Sequence, residues 1–308
     1  MKKVIGCIVK CVLIIAMYFA IQFLVNMVIN IPADVKVMSD LAAQGMDPGA
    51  EETMTLYYEK CEEITQANLG IVSFISAAIS VLVIFGIVCK SRKSAARKEG
   101  SDTGRKEIRA AARRELGINK INVKTALIAI FAGAGLAFLI NGILNVLPIP
   151  EWILDSYSDA SSPIGNVGFI GQLLGVVLAP AIAEEVLFRG VVLGNLKKVM
   201  PVWAAVLLSS LAFGLVHGNL LWVCYAFVLG VIIACADLKL GSIIPGMIMH
   251  FIFNFTGIIF DGIELPVFVY AILAILGAAV LAVFFFGKTS PVSTTEYVQS
   301  EGHGEVIG

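Results

Sequence analysis

Charge is what this chain is shortest of. Asp, Glu, Lys and Arg make up 15% of its 308 residues, against about 25% in soluble domains. The apolar fraction is 58% and the mean hydropathy +0.89, which excludes an ordinary soluble single-core domain. Cysteine occurs six times, at positions 7, 11, 61, 89, 224 and 235, but never as Cys-x-x-Cys. Most of these lie in apolar runs, where a reduced cysteine behaves as a small hydrophobe, so neither a disulfide framework nor a thiolate zinc site is expected. Also missing are a His-Glu-x-x-His helix, a Gly-x-Ser-x-Gly elbow and a pair of membrane aspartates. Three familiar routes to peptide hydrolysis are therefore unsupported.

In place of charge the chain has uncharged apolar runs of membrane length. Residues 69–88 carry no charged side chain, and about 20 such residues cross a hydrocarbon core. Similar runs cover 4–29, 125–147, 164–183, 202–216, 221–236, 242–260 and 266–287. The expected fold is all-α, a polytopic membrane helix bundle of about eight transmembrane helices. Lys2, Lys3 and Lys10 precede a first run too long for a signal-peptide core, so it reads as a retained helix.

Loop charges set the expected orientation. Twelve basic residues between Lys90 and Lys124, diluted by Glu99, Asp102, Glu107 and Glu115, mark a cytoplasmic loop containing a juxtamembrane helix. Nucleic-acid binding is not expected of it. The loop before residue 69 is acidic and reads as external, with Pro48-Gly49 as a break and a helix over 51–68. Asp237-Leu238-Lys239 reads as a short inner turn. Both termini are then cytoplasmic in a multi-pass protein of the cell membrane. The chain is expected to divide into a two-span region (1–122), a membrane domain with the remaining spans (123–288) and a disordered polar tail (289–308).

The residues able to carry chemistry stand out because ionised groups inside a bilayer are costly, about 2.5–3.5 kcal/mol each at a helix centre on insertion scales. Glu184 and Glu185 are adjacent in the fourth run. Arg189 shares a helix face with Glu185 at i+4, which leaves Glu184 without a local countercharge. Pro180 cannot donate to the Val176 carbonyl, so a kink is expected there, with a free acceptor for water beside the carboxylate. His217 and His250 lie in apolar segments, Asn254 follows His250 by one turn, and Phe213 precedes His217 by one turn. A carboxylate in a low-dielectric site suits general base chemistry. An imidazole and an amide on one face suit oxyanion stabilisation.

Glu184-Glu185-x-x-x-Arg189, Phe213-x-x-x-His217 and His250-x-x-x-Asn254, in this order over about residues 165–260, resemble the CPBP family of membrane proteins. That family includes type II CAAX prenyl endopeptidases, their bacterial relatives and bacteriocin-processing or immunity proteins. The resemblance implies an intramembrane endopeptidase acting on membrane-anchored or lipidated, CAAX-like peptides. Glu184 with His217 would activate the attacking water, His250 with Asn254 would stabilise the oxyanion, and Glu185 with Arg189 would hold their helix in place. It leaves open a divalent metal such as zinc on Glu184, His217 and His250; a metal-free route fits the same residues. Two other readings are a non-catalytic immunity or scaffold protein of the same fold and an ion-coupled transporter using the two glutamates. Substrate identity and oligomeric state do not follow from the sequence.

Overall fold

The computed structural model describes residues 2–101, 103–165, 167–260 and 262–287, and every regular element among them is helical. The expected polar tail, 289–308, lies outside the described residues, as do Asp102, Asp261 and His303. The first two helices are α1 (Lys2–Ala43) and α2 (Glu51–Lys98). At 1.5 Å per residue they are about 63 and 72 Å long, twice a hydrocarbon core, so their paired ends project beyond it. The expected helix over 51–68 and the second span are one uninterrupted rod, and the break falls between Ala43 and Glu51, around Pro48-Gly49.

The juxtamembrane helix forms as α3 (Arg105–Glu115), followed by α4 (Val123–Val146). An additional helix, α5 (Glu151–Gly165), occupies a stretch read only as a loop. Next comes α6, which runs from Phe169 to Leu196 and alternates between α and π geometry. Its α segments are Phe169–Gln172, Ala179–Glu184 and Gly194–Leu196, and its π segments are Leu173–Leu178 and Glu185–Leu193. The chain continues through α7 (Val202–Leu215), α8 (Leu220–Leu240), α9 (Ile244–Phe260) and α10 (Val267–Phe286).

Each of the eight expected spans is helical over most of its described residues. Five helices, α1, α2, α4, α8 and α10, are individually long and apolar enough to cross a membrane, while α7 and α9 are shorter apolar helices. Apolar side chains left exposed on the outer helices, such as Val12, Leu13, Phe23, Ile275 and Val283, face where lipid would be. The chain is an all-α, multi-pass membrane protein.

Hydrophobic burial gives little preference between one helix and another when the solvent is itself a hydrocarbon, so close backbone approach and polar links do the positioning. Where α2 crosses α6, a Cβ on Gly70 would fall 2.5 Å from the Gly171 Cα, and one on Gly175 would fall 2.6 Å from the Gly70 Cα. Only glycine fits there, and this crossing sets α6 against the first two helices. Asn68 Nδ2 donates to Asn30 Oδ1 at 2.9 Å, and Asn30 Nδ2 to Asn26 Oδ1 at 2.8 Å, clamping α1 to α2.

Lys239 contradicts the expected inner turn: Asp237, Leu238 and Lys239 all lie inside α8, and the chain turns instead at Gly241 (φ 71°). From the last turn of α8, the Lys239 ammonium donates to the carbonyls of Phe284 and Phe285, both at 2.7 Å, capping the C-terminus of α10. These are charge-assisted bonds to carbonyls that have no helical partner. Lys239→Met is expected to cost about 1–3 kcal/mol, read as a lower thermal unfolding midpoint in detergent.

Glu115, at the end of α3, ties two other elements together. It accepts from Lys198 Nζ at 2.9 Å and from Arg92 Nε at 2.6 Å. Partial burial would raise its carboxyl pKa, but hydrogen bonds and charge from Lys198 and Arg92 outweigh that and hold it below the ordinary glutamate value. A carboxyl whose folded pKa is depressed contributes stability above its unfolded pKa, and the contribution disappears as pH falls through the folded value. Glu115→Gln is thus expected to lower the unfolding midpoint near neutral pH by an amount worth at most about 1 kcal/mol for each exposed pair. The gap from wild type closes when the measurement is repeated below the ordinary glutamate range.

Candidate active site

The site is built on the second half of α6. Glu185 opens the π segment Glu185–Leu193 and is fully buried. Its Oε2 lies 3.1 Å from Arg189 Nε, and its Oε1 lies 2.9 Å from His250 Nδ1 on α9. A carboxylate, a guanidinium and an imidazole therefore form one buried chain between two helices. Arg189 also donates through Nη2 to the Gly230 carbonyl of α8 at 3.3 Å. Widened turns of this kind expose backbone carbonyls and recur at functional sites. Here Ser209 Oγ of α7 donates to the carbonyl of Phe188 at 2.9 Å.

Phe213 is the hub. Its ring is fully buried and meets the His217 ring at 5.0 Å and the His250 ring at 5.8 Å, both edge-on. The Arg189 guanidinium lies 4.4 Å from the centre of the same ring, close enough for a cation–π attraction. One aromatic side chain thus gathers residues from α6, from the end of α7 and from α9. Phe213, one turn before His217, touches both imidazoles and so links the end of α7 to α9.

His217 is not within a helix. α7 stops at Leu215, and His217 occupies the turn before Gly218, whose φ is 75°. Its Nδ1 lies 2.8 Å from the Phe213 carbonyl. A carbonyl can only accept, so Nδ1 carries a proton, which in the neutral ring leaves the lone pair on Nε2. The contact also caps a carbonyl at the helix end. Asn219 holds the far side of the turn, capping α8 through Oδ1 and donating to Ser156 of α5.

Asn254 faces α6 with His250, as the one-turn spacing predicts, but the acceptor at Val176 is not left for water. Asn254 Nδ2 donates to that carbonyl at 2.9 Å. The proline-freed acceptor is satisfied by a side chain, which leaves Asn254 a second amide hydrogen. Pro180 itself sits in the short α segment between the two π segments.

Glu184 differs sharply from its neighbour. It is half-buried, forms no hydrogen bond or ion pair with the described residues, and keeps a buried Oε2 without a partner. Its charge is near enough to act on Tyr18 of α1. The structure therefore joins Glu185, Arg189, His250, Phe213 and His217 in one contiguous cluster, sets Asn254 one turn further along α9, and forms no bond between Glu184 and either imidazole.

Among the described residues no group of three or more His, Cys, Asp or Glu side chains is placed to hold a metal. The proposed zinc ligands Glu184, His217 and His250 do not form such a donor set in this arrangement, with Nδ1 of both imidazoles already engaged by protein oxygens.

Sequence reasoning missed Asp237. It is buried on α8 with one oxygen bonded to the Gly246 amide. The signal was there: Gly241 is a helix-ending glycine, which extends α8 to Leu240 and puts Asp237 on the same face as the buried Ile233 and Leu240.

Comparison with known proteins returns one family. Residues 166–256 match the family model described as type II CAAX prenyl endopeptidase Rce1-like. No curated protein and no solved structure matches the chain. The matched stretch runs from the start of α6 to within four residues of the end of α9 and contains all of the residues clustered about Phe213. Over that stretch, under a third of its length, the chain is similar to the type II CAAX prenyl endopeptidases of the Rce1-like family.

Proposed function

We propose that this protein is an intramembrane endopeptidase that hydrolyses a peptide bond in a membrane-associated or lipidated peptide. The observation that carries the reading is the buried His250–Glu185–Arg189 chain, packed on the Phe213 ring that also touches His217. Burying a carboxylate, a guanidinium and an imidazole together in an apolar bundle is expensive, and one scaffolding ion pair would not need two imidazoles on a shared ring.

The roles divide according to what each group has free. Glu185, ion-paired with Arg189 through Oε2 and bonded to His250 Nδ1 through Oε1, orients the imidazole, and the imidazolium form of His250 would donate its Nε2–H to the oxyanion as the tetrahedral intermediate forms. The second amide hydrogen of Asn254 donates from the same face of α9. Glu184 has the unengaged carboxylate oxygen and takes the proton from the attacking water. His217, protonated at Nδ1, offers Nε2 as an acceptor to orient that water. Donors aimed at developing charge in a low-dielectric site contribute the largest share to such acyl transfers. No part of this sequence requires a metal, so a chelator is expected to leave the rate unchanged. Chelator inactivation reversed by zinc would reassign Glu184, His217 and His250 as ligands.

The apolar helices of membrane length around the site support this substrate class. A bond reaching this site must be carried there by a segment that partitions into the bilayer. The purified protein is expected to cleave a lipidated peptide and to leave the same sequence without its lipid intact, as read by mass spectrometry of the products. Equal cleavage of both would remove the lipid requirement, and cleavage of neither across a panel of lipidated peptides would favour an immunity or scaffold role.

A further inference from the structure

His217 is the one proposed catalytic group that stands outside a helix, so its backbone is held by something other than a helical ladder. From the α7 side the bonds are slack. Val216 N donates to Ala212 O and Gly218 N to Leu215 O, both at 3.3 Å, and His217 N to Gly214 O at 3.0 Å. Such bonds usually run from about 2.7 to 3.2 Å. On the other side they are short: Asn219 N donates to His217 O at 2.8 Å, and Val223 N to Asn219 O at 2.8 Å. The turn that carries the imidazole is therefore fixed more firmly to Asn219 and α8 than to α7.

Asn219 has no polar atom to spare. Its Oδ1 accepts from Leu221 N at 3.0 Å and from Trp222 N at 3.4 Å, which caps α8. Its Nδ2 donates to the carbonyl and to the hydroxyl of Ser156, both at 3.0 Å. An N-cap needs only the acceptor, and aspartate or serine supplies that about as well. The amide group is what asparagine adds, and both of its bonds go to α5.

α5 is a surface element with no buried residue. It rests on the bundle through the half-buried Ile153, Tyr157, Ala160 and Ile164, spaced by four, three and four residues as a single helix stripe requires. Tyr157 meets Trp222, in the first turn of α8, edge-on at 5.9 Å. That ring contact and the Asn219 amide together hold α5 against the start of α8, beside the turn after His217.

We propose that Asn219 is a positioning residue for His217, and that its side-chain amide is the link through which the surface helix α5 sets the imidazole. It touches no reacting atom. The bond from Nδ1 to the Phe213 carbonyl fixes the rotation of the ring, while Asn219, clamped between Ser156 and the first turn of α8, fixes the backbone from which the ring hangs. Displacing α5 moves Ser156, Asn219 and the His217 carbonyl in turn, and Nε2 then leaves the place where it holds the attacking water. The catalytic part of this inference rests on the peptidase reading; the link between α5 and His217 does not.

The test uses the full-length protein in detergent or nanodiscs. Asn219→Ser and Asn219→Asp keep a capping oxygen and lose the amide hydrogens, one without and one with a new charge. Both are expected to lower kcat about 10- to 100-fold, as slight misplacement of a catalytic group does, with KM and the unfolding midpoint nearly unchanged. Ser156→Ala removes one of the two acceptors and is expected to lower kcat about 2- to 10-fold, the range of one neutral hydrogen bond. Added to Asn219→Ser, it is expected to lower kcat no further, because the path it acts through is already cut. Independently of turnover, ¹⁵N-histidine NMR follows three residues, His217, His250 and His303. In Ser156→Ala, a change far from every histidine in sequence, the His217 ring resonances are expected to move while those of His250 stay.

Unmoved His217 resonances in Ser156→Ala, or undiminished kcat in Asn219→Ser, would overturn the proposal and reduce Asn219 to a helix cap. A further fall in kcat when Ser156→Ala is added to Asn219→Ser would overturn the amide as the link. Should wild type cleave no lipidated peptide, the peptidase reading fails on that result, and the resonances still decide whether α5 sets His217.

Discussion

Replacing Glu184 by glutamine is expected to reduce cleavage of a lipidated peptide by about 10²- to 10⁴-fold, the range over which a positioned general base acts, while KM changes little. Glutamine keeps the shape and can still hold a water, but it cannot take a proton. The neighbouring carboxylate cannot substitute, because Glu185 is held by Arg189 and His250. The fold has no stake in the Glu184 charge: it has no hydrogen-bonding partner and one buried oxygen is orphaned, so removing it is expected to leave the unfolding midpoint equal or slightly raised. That separates lost chemistry from lost structure, which an alanine in a tightly packed helix would blur. His217→Ala is expected to give a similar loss, and the double variant little more than either single one, because two groups that activate one water act as a unit. Retention of more than about a tenth of the wild-type rate by Glu184→Gln would place the base elsewhere. A multiplicative double variant would instead show that Glu184 and His217 act on separate steps.

Local spacing made much of this legible. The i, i+4 relation of Glu185 and Arg189 predicts their ion pair, and the same relation between His250 and Asn254 predicts that both face one neighbour. Both do so in the structure, and that neighbour is α6. What spacing could not reveal is which glutamate meets His250. Residues 184 and 185 are separated by roughly 100° on an α-helix, but α6 changes to π geometry at Glu185. A reading based on a 3.6-residue period has no means of detecting that change. The same limit explains the Val176 carbonyl: the proline marks it as free, but only the tertiary structure shows Asn254 filling it.

Other differences come from composition standing in for geometry. Asp237 and Lys239 read as a turn because charges usually mark the ends of spans, yet both are used within α8, one accepting from the Gly246 amide and the other capping α10. His217 read as helical because apolar residues precede it, and the positive-φ glycine after it was the better guide to where α7 ends. α5 lacked the apolar periodicity that identified the other helices, and its role, holding Asn219 at the turn after His217, is set entirely by contact.

Arg189→Met is expected to be the most destabilising single change in the site, by about 3–5 kcal/mol, the cost of removing one member of a buried ion pair. The methionine stem fills much of the same volume, so the loss is mainly electrostatic. Glu185 keeps His250 but is left as a buried charge without its guanidinium. Phe213 loses the cation 4.4 Å from its ring centre, and the Gly230 carbonyl loses a donor. The contrasting variant carries Glu185→Leu and Arg189→Met together. Apolar residues in place of both ions are expected to recover much of the stability, because a buried pair often returns little beyond its desolvation cost. Activity should not return with it, since His250 has then lost the carboxylate that orients it. Unfolding midpoints and peptide cleavage measured on the same preparations separate the two effects. If the double variant regained both stability and turnover, the pair would be scaffolding alone and the site would have to work without an oriented His250. If it regained neither, the pair would be needed to specify the fold, and the π segment that carries it would be the element to repair.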